Sequence, residues 1–453
     1  MKKIFTLIVA CVATLAATAQ TEGTTTSNAW GLTGEGTEAN PYCIHTADDL
    51  YTMAKNCNAN HKGTGEYFVL KNDINFGGSA ETPKQLPAIG KDGNAQIAAI
   101  AYGFDGTFDG AGHTISGIDH TEMDNNAKGK YNGLFGCIDK NGVVKNLVIS
   151  KDNHIAGYNY VGTIASLNMG LIQNCTNYAD VTAANFAAGG VCGFFVNGTG
   201  IVKDCQNFGN VKAMTYASGI CGGSHSGKSV ATYNYLIEHC TNKGNLSTTN
   251  GLGSAGIAGA YSGAVKDCTN YGITDDTHGT AKSRQYTAGI VACASYAVDI
   301  DGCKNYGTVN GVKNVGGIVG NVMKGDAAAT VIKNCVNDAA VNGQDAYVAG
   351  IVANSARAEG VVSVANCTNN GEVTTTATTD FIGNLRGNST IALGEGNIIA
   401  AGLKTYKLDP ETSTAIKGIE QNNAVVKNGK YLKNGRIVII NNGNQYNING
   451  TRL

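Results

Sequence analysis

One cysteine-centred segment recurs seven times at nearly even spacing, and this restricts the chain to a stacked-repeat architecture before any other property is considered. The copies align without gaps: IQNCTNYADV around Cys175, VKDCQNFGNV around Cys205, IEHCTNKGNL around Cys240, VKDCTNYGIT around Cys268, IDGCKNYGTV around Cys303, IKNCVNDAAV around Cys335 and VANCTNNGEV around Cys367. Successive cysteines lie 28 to 35 residues apart, about 32 on average. Ile or Val stands three residues before each Cys, Asn two after it, and Gly or Ala four after it. A second element, a glycine followed by apolar residues, falls between the copies: NGLFG at 132, VGTIA at 161, GGVCG at 189, SGICG at 218, AGIAG at 255, AGIVA at 288, GGIVG at 316 and AGIVA at 349.

Each unit thus holds about three short strand candidates and cannot bury its own apolar face. Neighbouring units must stack about 4.8 Å apart, pair their backbones and close one elongated core. The expected fold is all-β, a right-handed parallel β-helix of about 32 residues per coil. Equivalent positions then form ladders along the axis. Asn177, Asn207, Asn242, Asn270, Asn305, Asn337 and Asn369 are expected to bond amide to amide at a corner, satisfying turn backbone. Cys175, Cys205, Cys240, Cys268, Cys303, Cys335 and Cys367 are read as an inward column of small apolar side chains. Bridging them would strain the disulfide torsion, because in-register side chains point the same way. A metal role is not expected, since no CxxC or His-x-His spacing occurs and one Cys per coil gives no tetrahedral set.

Composition agrees with many short strands and tight turns. The chain has 62 Gly among 453 residues, about twice the usual share, with only 15% charged residues and four Pro, which argues against disorder. A net charge of -1 gives no electrostatic case for nucleic acid. Residues 1–19 read as a signal peptide: two lysines, an apolar run from Ile4 to Ala17, then Ala17-Thr18-Ala19 before Gln20. Ile8-Val9-Ala10-Cys11 supports a second reading, a lipidated Cys11. No later stretch is long and apolar enough to span a bilayer. Of 14 cysteines, the thirteen beyond the leader form an odd set, so at least one thiol is unpaired within the chain.

The ends depart from the repeat. After a linker at 20–40, residues 41–62 read as an N-terminal cap. Thr46 with Asp49 opens an amphipathic helix whose face carries Leu50, Met53, Ala54 and Cys57, and which would cover the open first coil. Cys43 and Cys57 are the one pair considered for a disulfide, against two reduced thiols in the cap. Strands are expected at Tyr67 to Ile74, Gly103 to Ile118 and Val143 to Ile149, within a solenoid running over 63–390. Beyond a linker at 391–423, residues 424–453 hold Asn-Gly at 428, 434, 442 and 449, the pattern of a small antiparallel meander.

The run from Gly34 to Tyr42 (GEGTEANPY), through ADDL, YFVLKNDINF, FDGTFDGAGHTISGI, NGLFG and VVKNLVIS to the GGIVG and IKNC repeats, resembles the GLUG-motif β-helix proteins of Bacteroidota. The likeness covers about residues 34 to 385. It implies a secreted or surface protein, adhesin-like, with a β-helix of the kind found N-terminal to IgA-type metallopeptidases. The peptidase activity is not implied, because none of the eight His lies in HExxH; His120 is followed by Thr-Glu-Met-Asp. The ending NGRIVIINNGNQYNINGTRL is similar to C-terminal sorting tails of secreted Bacteroidota proteins.

No catalytic residue and no cofactor emerge from the sequence. The best carboxylate pair by spacing is Asp105 and Asp109, and both fit turn-forming Asp-Gly steps. Asp204 and Asp267 precede repeat cysteines, but Asn174, His239, Gly302, Asn334 and Asn366 fill the same column, which marks a corner and not a catalytic row. The candidate binding residues are Tyr178, Phe208, Tyr271 and Tyr306, three residues after their cysteines; Lys243, Asp338 and Asn370 interrupt them. Tyr160, Tyr216, Tyr286 and Tyr347 form a second set. Exposed aromatic ladders suit glycans or host surface proteins as partners, while buried ones would only brace neighbouring coils. Two functions stand: a noncatalytic adhesin-like surface protein, or a glycan-active lyase or hydrolase using another site.

Overall fold

The computed structural model describes residues 28–59, 61–77, 86–90, 103–121, 131–225, 234–250, 252–278, 285–323, 330–345, 347–355, 361–375, 379–385, 390–393, 398–399, 429–433, 436–441 and 444–446. The leader and residues 400–428 lie outside them. The chain winds as an all-β parallel solenoid. Its coils stack into three parallel sheets of 26, 11 and 9 strands, in which each strand pairs with its equivalents one coil before and after.

One coil shows how the sequence makes its path. Tyr160–Gly162, Ala165–Asn168 and Leu171–Gln173 belong to the large sheet, Thr176–Asn177 to the second and Val181–Ala183 to the third. The glycine-apolar element is therefore not one strand. It is a bend between two, because Ile164, Val191, Ile220, Ile257, Ile290 and Ile318 turn into the core there and are wholly buried; the buried Ile351 alone lies within one continuous strand, Val348–Ser355. The predicted strands at 67–74, 103–118 and 143–149 are likewise broken by corners, into Tyr67–Leu70 and Ile74–Asn75, Thr107–Asp109 and Thr114–Ser116, and Val143–Lys145 and Val148–Ile149.

In the first coils, aromatic rings fill the interior. Trp30, Phe68, Phe104, Phe135 and Phe108 meet at centroid distances of 4.7 to 5.8 Å, mostly edge to face, an arrangement that favours the ring quadrupoles. A helix, Ala47–Asn58, adds Leu50, Met53, Ala54 and Cys57 to that cluster. Its start is fixed by a capping box, with Thr46 Oγ1 accepting from the Asp49 N–H at 3.2 Å and the Asp49 carboxylate accepting from the Thr46 N–H at 2.9 Å.

Cys43 and Cys57 are both free thiols, so of the two alternatives for this pair the cap holds the reduced one and not the disulfide. The pleat of Tyr42–Ile44 sends Tyr42 and Ile44 inward and Cys43 outward, whereas Cys57 points into the core, where burial pushes its pKa up to about 12. Residues 429–433, 436–441 and 444–446 pair antiparallel in a three-stranded sheet.

Candidate functional site

The corner that follows each third strand explains both the asparagine and the cysteine columns. Along a parallel ladder, successive N–H groups alternate between the two neighbouring coils. At the corner this alternation slips: the Asn174 N–H reaches forward to Lys203 O and the Thr176 N–H reaches back to Leu147 O. The Cys175 N–H between them donates to the sulfur of the next coil, Cys205 Sγ, at 3.4 Å. The same donation runs from the Cys240 N–H to Cys268 Sγ at 3.5 Å, and the backbone of Cys205, Cys268, Cys303 and Cys335 likewise favours the ionised form of the next thiol in the column. Each thiol also donates to the carbonyl two residues before it, at 3.1 Å in Cys205 and Cys335. Cysteine thus supplies a small apolar group that is also a weak donor and acceptor, which Val or Ala could not.

All seven thiols are free and buried. Desolvation raises Cys175, Cys205, Cys268 and Cys335 well above the usual thiol range. It also acts on Cys240 and Cys303, where hydrogen bonds from the flanking thiols oppose it. With no cation set beside it among the described residues, the column stays neutral and poorly nucleophilic.

The residue before each Cys turns the chain. Asn174, Asp204, His239, Asp267, Gly302, Asn334 and Asn366 all have φ between 49° and 67°, the left-handed region that Gly, Asn and Asp enter at least cost. Chemical variety in this column therefore hides a single backbone demand. On the surface there, His239 lies between Asp204 and Asp267, at 3.4 and 3.8 Å, without forming a metal site. Among the described residues no group of three His, Cys, Asp or Glu side chains could hold a metal ion.

Two residues past the cysteines, the asparagines are 0 to 1% exposed and make the amide ladder. Each Nδ2 donates to the next Oδ1 at 2.7 to 2.9 Å, from Asn177 through Asn207, Asn242, Asn270, Asn305 and Asn337 to Asn369. The second Nδ2 hydrogen caps the carbonyl two residues on, as in Asn177 to Ala179 and Asn242 to Gly244. The ladder also dictates the glycines of the bend. A methyl group at Gly190, Gly219, Gly256, Gly289, Gly317 or Gly350 would overlap the carboxamide of Asn207, Asn242, Asn270, Asn305, Asn337 or Asn369 respectively. Thr163 fills that column in the first such coil and bonds forward to Gly190 O at 2.7 Å.

Because Asn points inward, the next residue points out. Tyr178, Tyr271 and Tyr306 are 45%, 51% and 42% exposed; with Ile273 at 44%, they are the large apolar side chains exposed among the described residues. Phe208 is half-buried. The rings stack in pairs along the axis, Tyr178 on Phe208 at 4.8 Å and 18°, Tyr271 on Tyr306 at 5.1 Å and 13°. Lys243 Nζ sits 4.7 Å over the Phe208 ring, joining the pairs into one stripe. Asn370, bonded to Asp338 at 2.6 Å, continues it as a polar column. Stacking closes one face of each tyrosine and leaves the ring edges to solvent.

The second aromatic set does not form such a stripe. Tyr216 is buried, and it packs with Tyr160, Phe186 and Phe194 in a satellite core. Tyr286 and Tyr347 are half-buried, Tyr347 at φ 69° under Lys313 Nζ at 5.1 Å. The carboxylates are committed to turns. Asp105 is buried and accepts from Thr64 Oγ1 and from the N–H and Nδ2 of Asn141, while Asp109 accepts from the Ala111 N–H and Asn146 Nδ2 and pairs with Lys145.

Sequence reasoning missed one group. Asp276, wholly buried, accepts from the N–H and hydroxyl of both Thr248 and Ser254 and from Thr287 Oγ1, at 2.6 to 3.0 Å. Desolvation raises its pKa against those bonds. Its donors come from three coils, so only the register of the fold reveals the cluster.

No family model matches the chain. It is 34% identical over 143 residues, 31% of its length, to a "Putative Gly-rich membrane protein" of Evansella cellulosilytica, and 34% identical over 161 residues, 35% of its length, to "Halomucin" of Haloquadratum walsbyi. The chain spans only 15% and 2% of the lengths of these relatives. Among solved structures it is similar to a "putative immunoglobulin A1 protease" from Bacteroides ovatus, with a TM-score of 0.44 and 20% identity over 61% of this chain and 77% of that one.

Proposed function

We propose that the chain is a noncatalytic, exported surface protein, adhesin-like, whose solenoid presents its aromatic stripe to glycans or host surface proteins. The observation that carries this reading is the concentration of exposed apolar rings: of the four large apolar side chains exposed among the described residues, Tyr178, Tyr271 and Tyr306 occupy one column. The rival reading, a glycan-active lyase or hydrolase, finds its best carboxylates, Asp105 and Asp109, occupied as turn acceptors. In this reading residues 1–19 direct export, the helix Ala47–Asn58 lids the first coil against water and edge-to-edge association, and 424–453 serve as a sorting tail. The printed name of the Evansella relative, a membrane protein, agrees with an envelope location. Among the described residues no helix is long and apolar enough to cross a membrane.

The test is binding of purified residues 20–453 to an array of mucin glycans, plant glycans and host surface proteins, read alongside product release from the glycans. Saturable binding lost in the Tyr271→Ala Tyr306→Ala variant, without product, is expected. Released oligosaccharide would overturn the reading.

A further inference from the structure

Resting on that binding reading, we propose that the stripe takes a polyanionic glycan, a chain carrying carboxylates or sulfates, and does not take neutral sugars by ring stacking. A sugar that stacks on an aromatic residue needs an open ring face. Here one face of each tyrosine is spent on its neighbour, Tyr271 and Tyr306 lying nearly parallel at 13° and Tyr178 on Phe208 at 18°, while Phe208 also carries Lys243. What reaches solvent is the rim of each ring, where the quadrupole is positive, together with the phenol hydroxyls, which donate.

The charges beside the rims have the same sign. Lys243 occupies the column one coil before Tyr271, and Lys304 stands two residues before Tyr306 on the same outer face. Both are exposed, and neither has a carboxylate partner among the described residues. In the three coils from Cys240 to Cys303, the outward positions that follow the cysteines are Thr241, Lys243, Asn245, Thr269, Tyr271, Ile273, Lys304, Tyr306 and Thr308, with no acid among them; the exposed Asp267 stands ahead of Cys268, on the other side of the turn from the rings, beside His239. Acids return at Asp180 before the stretch and at Asp338 and Glu372 after it. Lys243 and Tyr306 lie two coils apart, about 10 Å, so an extended chain laid along the axis meets a cation, a ring rim, and then a second rim with Lys304 beside it.

An acidic peptide would match the charge but lacks its usual means of docking. Strand addition needs a free edge, and every strand here, Thr241–Asn242, Thr269–Asn270 and Lys304–Asn305, is paired on both sides. Side-chain contacts alone are available, and a glycan with regularly repeated anionic groups can use them coil by coil.

The experiment measures affinity of the mature chain for polygalacturonate, dextran sulfate, neutral dextran and poly-glutamate at low and high salt. Both anionic glycans should bind, salt should weaken them, and Lys243→Gln with Lys304→Gln should lower affinity about tenfold while circular dichroism and unfolding midpoint stay unchanged. Dextran sulfate bound without polygalacturonate would assign sulfate as the recognised group; the reverse would assign carboxylate. Neutral dextran bound as tightly, with loss in Tyr271→Ala but none in the lysine variant, would overturn this inference and leave the broader binding reading intact. Poly-glutamate bound as tightly as either glycan would overturn the glycan assignment. No binding of any anionic polymer would overturn the inference, and the glycan and host-protein array then decides the broader reading separately.

Discussion

The coils before Cys175 and those from Cys175 onward stack through the same parallel pairing but fill their interiors in opposite ways. The early coils use volume: Trp30, Phe68, Phe104, Phe108 and Phe135 interlock mostly edge to face, and apolar Ile115 and Ile149 hold the register position that Asn177 takes in the next coil. The later coils use registration, with one Cys and one Asn per turn, each bonded to its own copy above and below. Rings tolerate several packings and do not measure chain position. A carboxamide meets its partner only when the coil is in register, so the repeat is a device for alignment as well as for filling space.

That contrast can be broken at its strongest points first. Phe108→Ala leaves a ring-sized hole against Phe135, and should cost about 3–5 kcal/mol in equilibrium urea unfolding. Loss below about 1 kcal/mol would mean that the early coils do not depend on ring volume. Asn270→Leu keeps the size but strands Asn242 Nδ2 and the Gly272 N–H in a dry interior, and should cost about 2–4 kcal/mol by the same measurement. A near-neutral result would remove registration from the account.

Gly256→Ala sharpens the comparison further. Its methyl overlaps the Asn270 carboxamide, so the single change should cost about 1–3 kcal/mol, and a double-mutant cycle with Asn270→Ala should recover about 1 kcal/mol of it. Additive losses would show that bend and ladder are independent. The smallest effect belongs to the helix cap: Thr46→Ala removes the acceptor for the Asp49 N–H and should lower stability by about 1 kcal/mol, read as a small shift in thermal midpoint.

What could be read from the sequence follows from whether a structural demand appears as a residue identity. The Asn column was legible because only a carboxamide both donates and accepts in line, and so Asn recurs in all seven copies. The position before Cys was legible only as variable, because its demand is a positive φ that Asn, Asp, Gly and His each meet. The coupling of Gly256 to Asn270 joins residues 14 apart across the interior, and nothing local announces it. The aromatic stripe was found by position, but its closed ring faces depend on stacking between coils, which a single unit cannot show. Whether Cys43 and Cys57 pair stayed open in the sequence because proximity in the cap says nothing of the opposite directions in which their side chains leave the backbone.

The amide ladder has an electrical consequence. Every Nδ2 from Asn177 to Asn337 points toward the following coil and every Oδ1 toward the preceding one, so the carboxamide dipoles add head to tail in place of cancelling. Aligned bonds polarise one another, by about 10–30% per bond in condensed media, and each inner link is therefore stronger than it would be in an isolated pair. The column behaves as a short polarised wire inside an apolar sleeve, and removing one coil from its middle would weaken links on both sides that touch nothing that was removed.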